Sequence, residues 1–425
     1  MECNKTHTRS TLDNHYDFIA GRHSVQINDQ PLILNWKITG AQKMSIAAQP
    51  PHQYPRRILV AVSGLSPQII TETLYGLAIN SKPAWVPTEI HLITTQTGAH
   101  SATLNLLDKK TGYFYRLCQD YQLTGIEFSP QHIHVIRDKN GNELDDIRTP
   151  EQNDAAADFI THLISKLTQD NHSSVHVSIA GGRKTMGYYV GYALSLFGRT
   201  QDRLSHVLVS TGYENHPEFY YPTPDTRIIQ TRENNPKPLD TAKAVVSLAE
   251  IPFVRMRDDI ADRLVKGTAG FSETINFARK AEQPPELIID LNNKRLSASG
   301  ETINLTDIQL AFYLWLLENT VKQQTALEKP RTRKPNKALA ESFLTTYKQL
   351  VGEFRDIDKT EKALSEGMPS NFFSDKVNGI NDKLKQALGK RLAHPYQIHK
   401  NKNRLSGEYF THLTTKHIQY DTLSD

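Results

Sequence analysis

Cysteine is nearly absent: the 425 residues hold two, Cys3 and Cys118. Two thiols so far apart build neither a disulfide framework nor a cysteine-based zinc cluster, and they read as reduced thiols of a cytoplasmic protein. No apolar run approaches the ~20 residues that span a bilayer, and the opening MECNKTHTRSTLDNHYDF lacks the charged-then-apolar layout of a secretion signal. Charge of one sign is not in large excess either. The net charge of +4 does not by itself imply a nucleic-acid partner. The seventeen histidines are scattered without a recurring metal-ligand spacing, so neither metal nor cofactor is expected. Also missing are the G-x-G-x-x-G fingerprint of a dinucleotide-binding oxidoreductase and the GxxxxGK[ST] spacing of a P-loop.

What is present is an ordinary globular composition, 38% hydrophobic and 23% charged, on a chain long enough for two or three domains. Residues 1–54 form a polar leader, partly disordered, able to turn a small hairpin around Asn28–Asp29. From Arg57, short β-rich apolar runs alternate with helical spacing. RILVAV (57–62), EIHLITT (89–95), HIHVIRD (132–138), SVHVSIA (174–180) and LSHVLVS (204–210) are separated by helices at 66–79, near 101–121, near 152–168 and near 185–197. Such alternation predicts an α/β domain over 55–260, with a Rossmann-like, mostly parallel sheet covered on both faces. Right-handed crossovers then bring the loops after 62, 95 and 180 to one edge. EFYYPTPDTRIIQT (218–231) predicts a terminal hairpin, and 238–260 a helix with an apolar closing segment. Residues 261–285 read as a linker ending at Pro284–Pro285.

Two loops at that edge carry the chemistry. The first is Ser63-Gly64-Leu65-Ser66-Pro67-Gln68. Gly64 allows close backbone approach to a ligand, while Ser66 and Pro67 suit the N-cap and first turn of a helix. The same helix start would bind phosphate through its free N–H groups. The second is Ala180-Gly181-Gly182-Arg183-Lys184-Thr185-Met186. Its glycine pair permits a tight anion-binding turn, Arg183 offers a planar fork and Lys184 a mobile point charge.

Taken in order, GLSPQIITETLYGL, AGGRKTMGYYVGYAL, LSHVLVS with EFYYPTP, and LAEIPFV resemble the CRISPR-associated Rossmann-fold (CARF) family, closest to the ring-nuclease branch of type III CRISPR systems. The resemblance covers about 200 residues. It implies a homodimer that binds cyclic oligoadenylate, with cyclic tetra-adenylate the expected ring, across its two-fold axis. It also implies that Ser66 and Lys184 are the catalytic pair, with Gly64, Gln68, Gly181, Gly182 and Arg183 around the phosphates. Thr185 and Met186 begin the motif's helix, and Thr95, Gln96, Thr97 and Gly98 are placed toward adenine or ribose. The cleavage so implied needs no metal. The ribose 2′-hydroxyl is the nucleophile, alignment supplies about 7–11 kcal/mol in favourable cases, and fixed donors stabilise the developing charge. The product would be a linear oligoadenylate with a 2′,3′-cyclic phosphate end.

Residues 286–425 predict a smaller α+β domain: strands over 286–305, a helix opened by the Thr306–Gln309 capping box, a basic loop at 321–337, helices near 338–352 and 371–388, and a tail hairpin from Pro395 to Tyr420. This order is winged-helix-like. It sets out an alternative function, a ligand-gated DNA-binding regulator, with Lys376, Asn378, Asn381 and Lys383 toward the groove and Lys400, Lys402 and Arg404 on the wing. The Arg-x(4–6)-His pattern of effector ribonucleases does not close here. Arg391 meets His394 too soon and His399 too late, while Arg199 and His206 lie in the Rossmann-like domain.

Overall fold

The computed structural model describes residues 26–27, 30–31 and 49–425, apart from 268, 326, 353–356, 402–406 and 422–425. The chain divides into two compact units, Met1–Ala47 and Ala48–Asp425. In the first, β1 (Gln26–Ile27) pairs antiparallel with β2 (Gln30–Pro31), on either side of the expected turn. The rest of residues 1–48, Cys3 included, lies outside the described residues.

In the second unit, β3 (Arg56–Val62), β4 (Glu89–Thr94), β5 (Ile133–Val135), β6 (Ser173–Ser178) and β7 (Arg203–Val209) form a parallel sheet in the order β5-β4-β3-β6-β7. The helices are α1 (Gln68–Tyr75), α2 (Gln96–Leu106), α3 (Tyr113–Asp120), α4 (Pro150–Leu167) and α5 (Lys184–Phe197). Strand β3 is buried on both sides, and its alternate residues feed two cores. Ile58, Val60 and Val62 pack with Ile160 and Ile164 of α4 and Val190 and Leu194 of α5. Leu59 and Ala61 pack with Ile70 and Leu74 of α1, Leu106 of α2 and Phe114 of α3. This two-sided burial is why the strand reads as an unbroken apolar run. The expected Rossmann-like sheet is therefore present. The order of the strands reverses between β3 and β6, the topological switch point where open α/β sheets bind ligands.

Four expectations change. The hairpin predicted over 218–231 is a single strand there, Ile228–Gln230, whose partner Pro238–Asp240 lies beyond the stretch. The helix predicted near 101–121 is two helices, because the Asp108 carboxylate accepts hydrogen bonds from the Lys110 and Thr111 backbone N–H groups, a local turn that competes with helix. The region 238–260 holds no α-helix among the described residues, only the single 3-10 turns Thr241–Lys243 and Arg257–Asp259. After β8 (Ile228–Gln230) and β9 (Pro238–Asp240), which pair with each other, β10 (Val246–Glu250) lies antiparallel along the edge of β7. The open ladder of β7 satisfies that backbone and outweighs local helix propensity. The stretch 261–285 holds α6 (Asp262–Lys266) and α7 (Phe271–Lys280), whose Leu264, Val265 and Phe277 are buried.

Beyond it, β11 (Leu287–Asp290), β12 (Arg295–Ala298) and β13 (Glu301–Ile303) form a meander, joined in parallel by β17 (Ile418–Tyr420). Helix α8 (Asp307–Leu317) carries the expected Thr306–Gln309 capping box. It is followed by β14 (Leu327–Glu328), α9 (Lys337–Val351), a short unanticipated α10 (Asp358–Leu364) and α11 (Ser370–Ala393). The tail hairpin is β15 (His399–Lys400) with β16 (Glu408–Phe410), which β14 extends to three strands. One core unites the lobes. Leu196 and Phe197 at the end of α5 pack in the same cluster as Trp315 of α8, Phe343 of α9 and Phe373 of α11. Among the described residues no helix is long and apolar enough to cross a membrane.

Candidate functional site

The turns after β3 and β6 meet backbone to backbone. A Cβ placed on Gly64 would sit 3.6 Å from the Cα of Gly182, and one on Gly181 would sit 2.9 Å from the carbonyl oxygen of Val62. Gly182 has φ of 80°, so this turn needs its glycines both for conformation and for proximity. The turn after β4 closes in from the other side. A Cβ on Gly98 would lie 2.0 Å from Thr94 Oγ1 and 2.6 Å from the Gly64 carbonyl oxygen. Thr95 caps α2 and accepts from the Gly98 N–H.

Between these turns lies a cleft of about 560 Å³, lined by Gly64, Leu65, Ser66, Thr95, Thr97, Gly181, Gly182, Arg183 and Met186. Sequence reasoning missed the rest of its wall: Asp145, Asp146 and Arg148 from the loop before α4, and Asn215 from the loop after β7. Asp146 is the hub. It accepts from Arg183 Nε at 3.1 Å and from Arg183 Nη2, and it also takes Arg148 Nε at 3.1 Å. The Arg183 contact, first of several, holds the Asp146 carboxyl far below the usual carboxylate range. Thr97 Oγ1 donates to Asp145. The two arginines of the cleft thus face two carboxylates, so its wall is close to neutral.

Ser66 is exposed and its hydroxyl makes no hydrogen bond among the described residues. The capping role open to it is not used: α1 starts at Gln68 after Pro67 without a side-chain cap, and the Ser66 carbonyl accepts from Ser63 Oγ at 2.8 Å. Lys184 is exposed as the first residue of α5, beside Arg183, and forms no ion pair among the described residues. It stands outside the residues that line the cleft, as do Gln96 and Thr185, both exposed, and the buried Gly98. Met186 is buried beneath the glycine turn.

Gln68 faces a second, smaller recess of about 120 Å³ that shares Ser66 and Asn215 with the first and adds Glu72, His206 and Glu214. Gln68 Oε1 is buried without a hydrogen-bond partner. Glu72, 6% exposed, has its carboxyl pushed up to about 8, first by burial and then by the charge of Glu214.

The C-terminal residues weighed for DNA are unevenly available. Asn381 is committed to the backbone of Ile398, donating from Nδ2 at 2.9 Å and accepting at Oδ1 at 2.8 Å. Lys376 stacks its ammonium over Phe372 at 5.0 Å. Lys383 lines a cleft with Asp262 and Glu301. Asn378 and Lys400 are exposed, and Lys402 and Arg404 lie outside the described residues. Arg199, discounted as a nuclease arginine, is buried in a bidentate pair with Asp202.

No curated protein matches the chain. Among solved structures it is similar to Enterococcus italicus Csm6 bound to cyclic hexa-2'-fluoro-hexa-dAMP, at 13% identity and a TM-score of 0.23, over 78% of this chain and 60% of that one. The chain therefore spans less than two thirds of that protein, and at such a TM-score the likeness carries no argument. The family model described as CRISPR-associated protein NE0113 matches residues 66–283, which runs from Ser66 through the glycine turn and past β10. That match takes in just over half of the chain, which therefore belongs to the CRISPR-associated protein NE0113 family.

Proposed function

We propose that the chain is a type III CRISPR accessory protein that binds cyclic oligoadenylate, with cyclic tetra-adenylate the preferred ring, at the β3/β6 edge of a homodimer, and that it cleaves the ring without a metal. The observation that supports this is the contact between the Gly64 and Gly182 turns: two residues beyond one glycine stands a hydroxyl spent on no cap, and two residues beyond the other a cation that forms no ion pair among the described residues. The α5 N-terminus adds unpaired backbone N–H groups on the same side. In this reading Ser66 orients the scissile phosphate or its ribose. Lys184 neutralises the phosphorane oxygens as the 2′-oxygen attacks phosphorus and the 5′-oxygen departs. Leu65, 69% exposed at the turn's tip, and Leu104, exposed on the neighbouring α2, offer apolar surface to a second copy.

The test is incubation of the protein with cyclic tri-, tetra- and hexa-adenylate in EDTA, with the products resolved by chromatography. Linear species ending in 2′,3′-cyclic phosphate are expected from the wild type. Loss of cleavage is expected in Lys184→Ala, and a large slowing in Ser66→Ala. A wild type that neither binds nor converts any ring, or a Lys184→Ala that cleaves normally, refutes the reading. The regulator reading draws support from the three-stranded β14-β16-β15 sheet beside α11, a wing-like element. It is weakened by Asn381, which is engaged with the Ile398 backbone. DNA affinity that is salt-sensitive and shifts with ligand would favour it.

A further inference from the structure

We propose that His394, His399 and His412 form a zinc site in the C-terminal lobe. The three come from separate places: His394 directly after α11, His399 in β15, and His412 two residues beyond β16. Their rings gather in a triangle with centroids 4.7 Å apart for His394–His399, 4.6 Å for His399–His412 and 5.1 Å for His394–His412. One ring nitrogen from each lies within 4.8 Å of the others. The closing distance to a shared ion is within reach of side-chain torsions, since His394 and His412 are exposed.

Two further features fit a metal rather than a fortuitous cluster. His399 Nε2 contacts the His394 carbonyl oxygen at 2.8 Å. With the proton on Nε2, this fixes the ring and leaves Nδ1 as a lone-pair donor, the outer-shell support that metal-bound imidazoles use. Phe410 packs its ring 5.8 Å from His399 and 5.3 Å from His412, which walls one side of the triangle with apolar surface. Three imidazoles without a carboxylate select a borderline ion such as Zn²⁺ over Mg²⁺ or Ca²⁺, and a tetrahedral ion would keep its fourth position for water.

The other histidine cluster, Glu89 with His91 and His132, is engaged differently. Its carboxylate is held by Arg56 at 2.6 Å, and His91 Nδ1 lies 2.7 Å from His134 Nε2. Those contacts give it a fold-holding role between β4 and β5.

The experiment uses full-length, untagged protein, stripped with a chelator and titrated with Zn²⁺ against a chromophoric competitor, then with Co²⁺ to record visible absorption. One tight equivalent per chain and an intense tetrahedral Co²⁺ spectrum are expected. His412→Ala, at an exposed position, should weaken Zn²⁺ by at least about tenfold, the scale that losing even an outer-shell partner carries, while keeping its circular dichroism. His132→Ala should bind as the wild type does. No stoichiometric binding by the wild type overturns the proposal, as does wild-type affinity in His412→Ala or loss of the site in His132→Ala.

Discussion

Replacing Glu72 by glutamine should remove a specific piece of the protein's pH dependence. Glu72 lies within α1, 6% exposed, beside Gln68 and facing Glu214 across the small recess. Burial, with the Glu214 charge second, pushes its carboxyl from 4.5 up to about 8. Between those values the folded chain holds a proton that the unfolded chain has released. Stability contributed by this site is therefore complete below about pH 4.5, falls as pH rises, and levels off above about pH 8. From pH 5.5 to 8.5 the change covers about 2.5 units at about 1.4 kcal/mol each, reduced by the flattening of the curve near pH 8, which leaves about 3 kcal/mol in favour of the more acidic buffer. Glutamine keeps the shape and cannot ionise. Urea unfolding at pH 5.5 and 8.5 should show Glu72→Gln gaining about 3 kcal/mol on the wild type across that interval. An equal offset between the two proteins at both pH values would refute the argument, because it would mean that Glu72 ionises in the folded chain as it does in water.

Asp146→Asn should free Arg183 and tighten cyclic tetra-adenylate binding a few-fold in calorimetric titration, with the gain shrinking as salt rises. Weaker binding would show instead that Asp146 holds Arg183 in its working position. Asp202→Ala leaves the buried Arg199 guanidinium without its partner and strips acceptors from the Val175 and Arg199 N–H groups. A loss of about 3–5 kcal/mol in denaturant unfolding is expected.

The sheet was legible because each parallel strand is an apolar run set between stretches of helical spacing. The glycine turn was legible for a similar reason: a Cβ on Gly181 would crowd the Val62 carbonyl and Gly182 has a positive φ, so the sequence spells out the close approach. The acidic half of the cleft was not. Asp145 and Asp146 lie in a loop without periodicity, and only the crossover from β5 to α4 brings them opposite Arg183. The β10 edge was misread because AKAVVSLAE has good helix propensity, and what decides its conformation is the free ladder of β7, far away in sequence. The histidine triangle was hidden likewise. His412 joins His394 and His399 by way of a hairpin, and no local spacing records that fold-back.

Helix α5 begins at Lys184 on the rim of the cleft and ends at Phe197, inside the core shared with the second lobe. Fourteen residues make a rod of about 21 Å. One tip of that rod stands at the glycine turn and the other, through Leu196 and Phe197, belongs to the cluster that holds Trp315. The two lobes are thus joined by a single stiff strut as well as by a core.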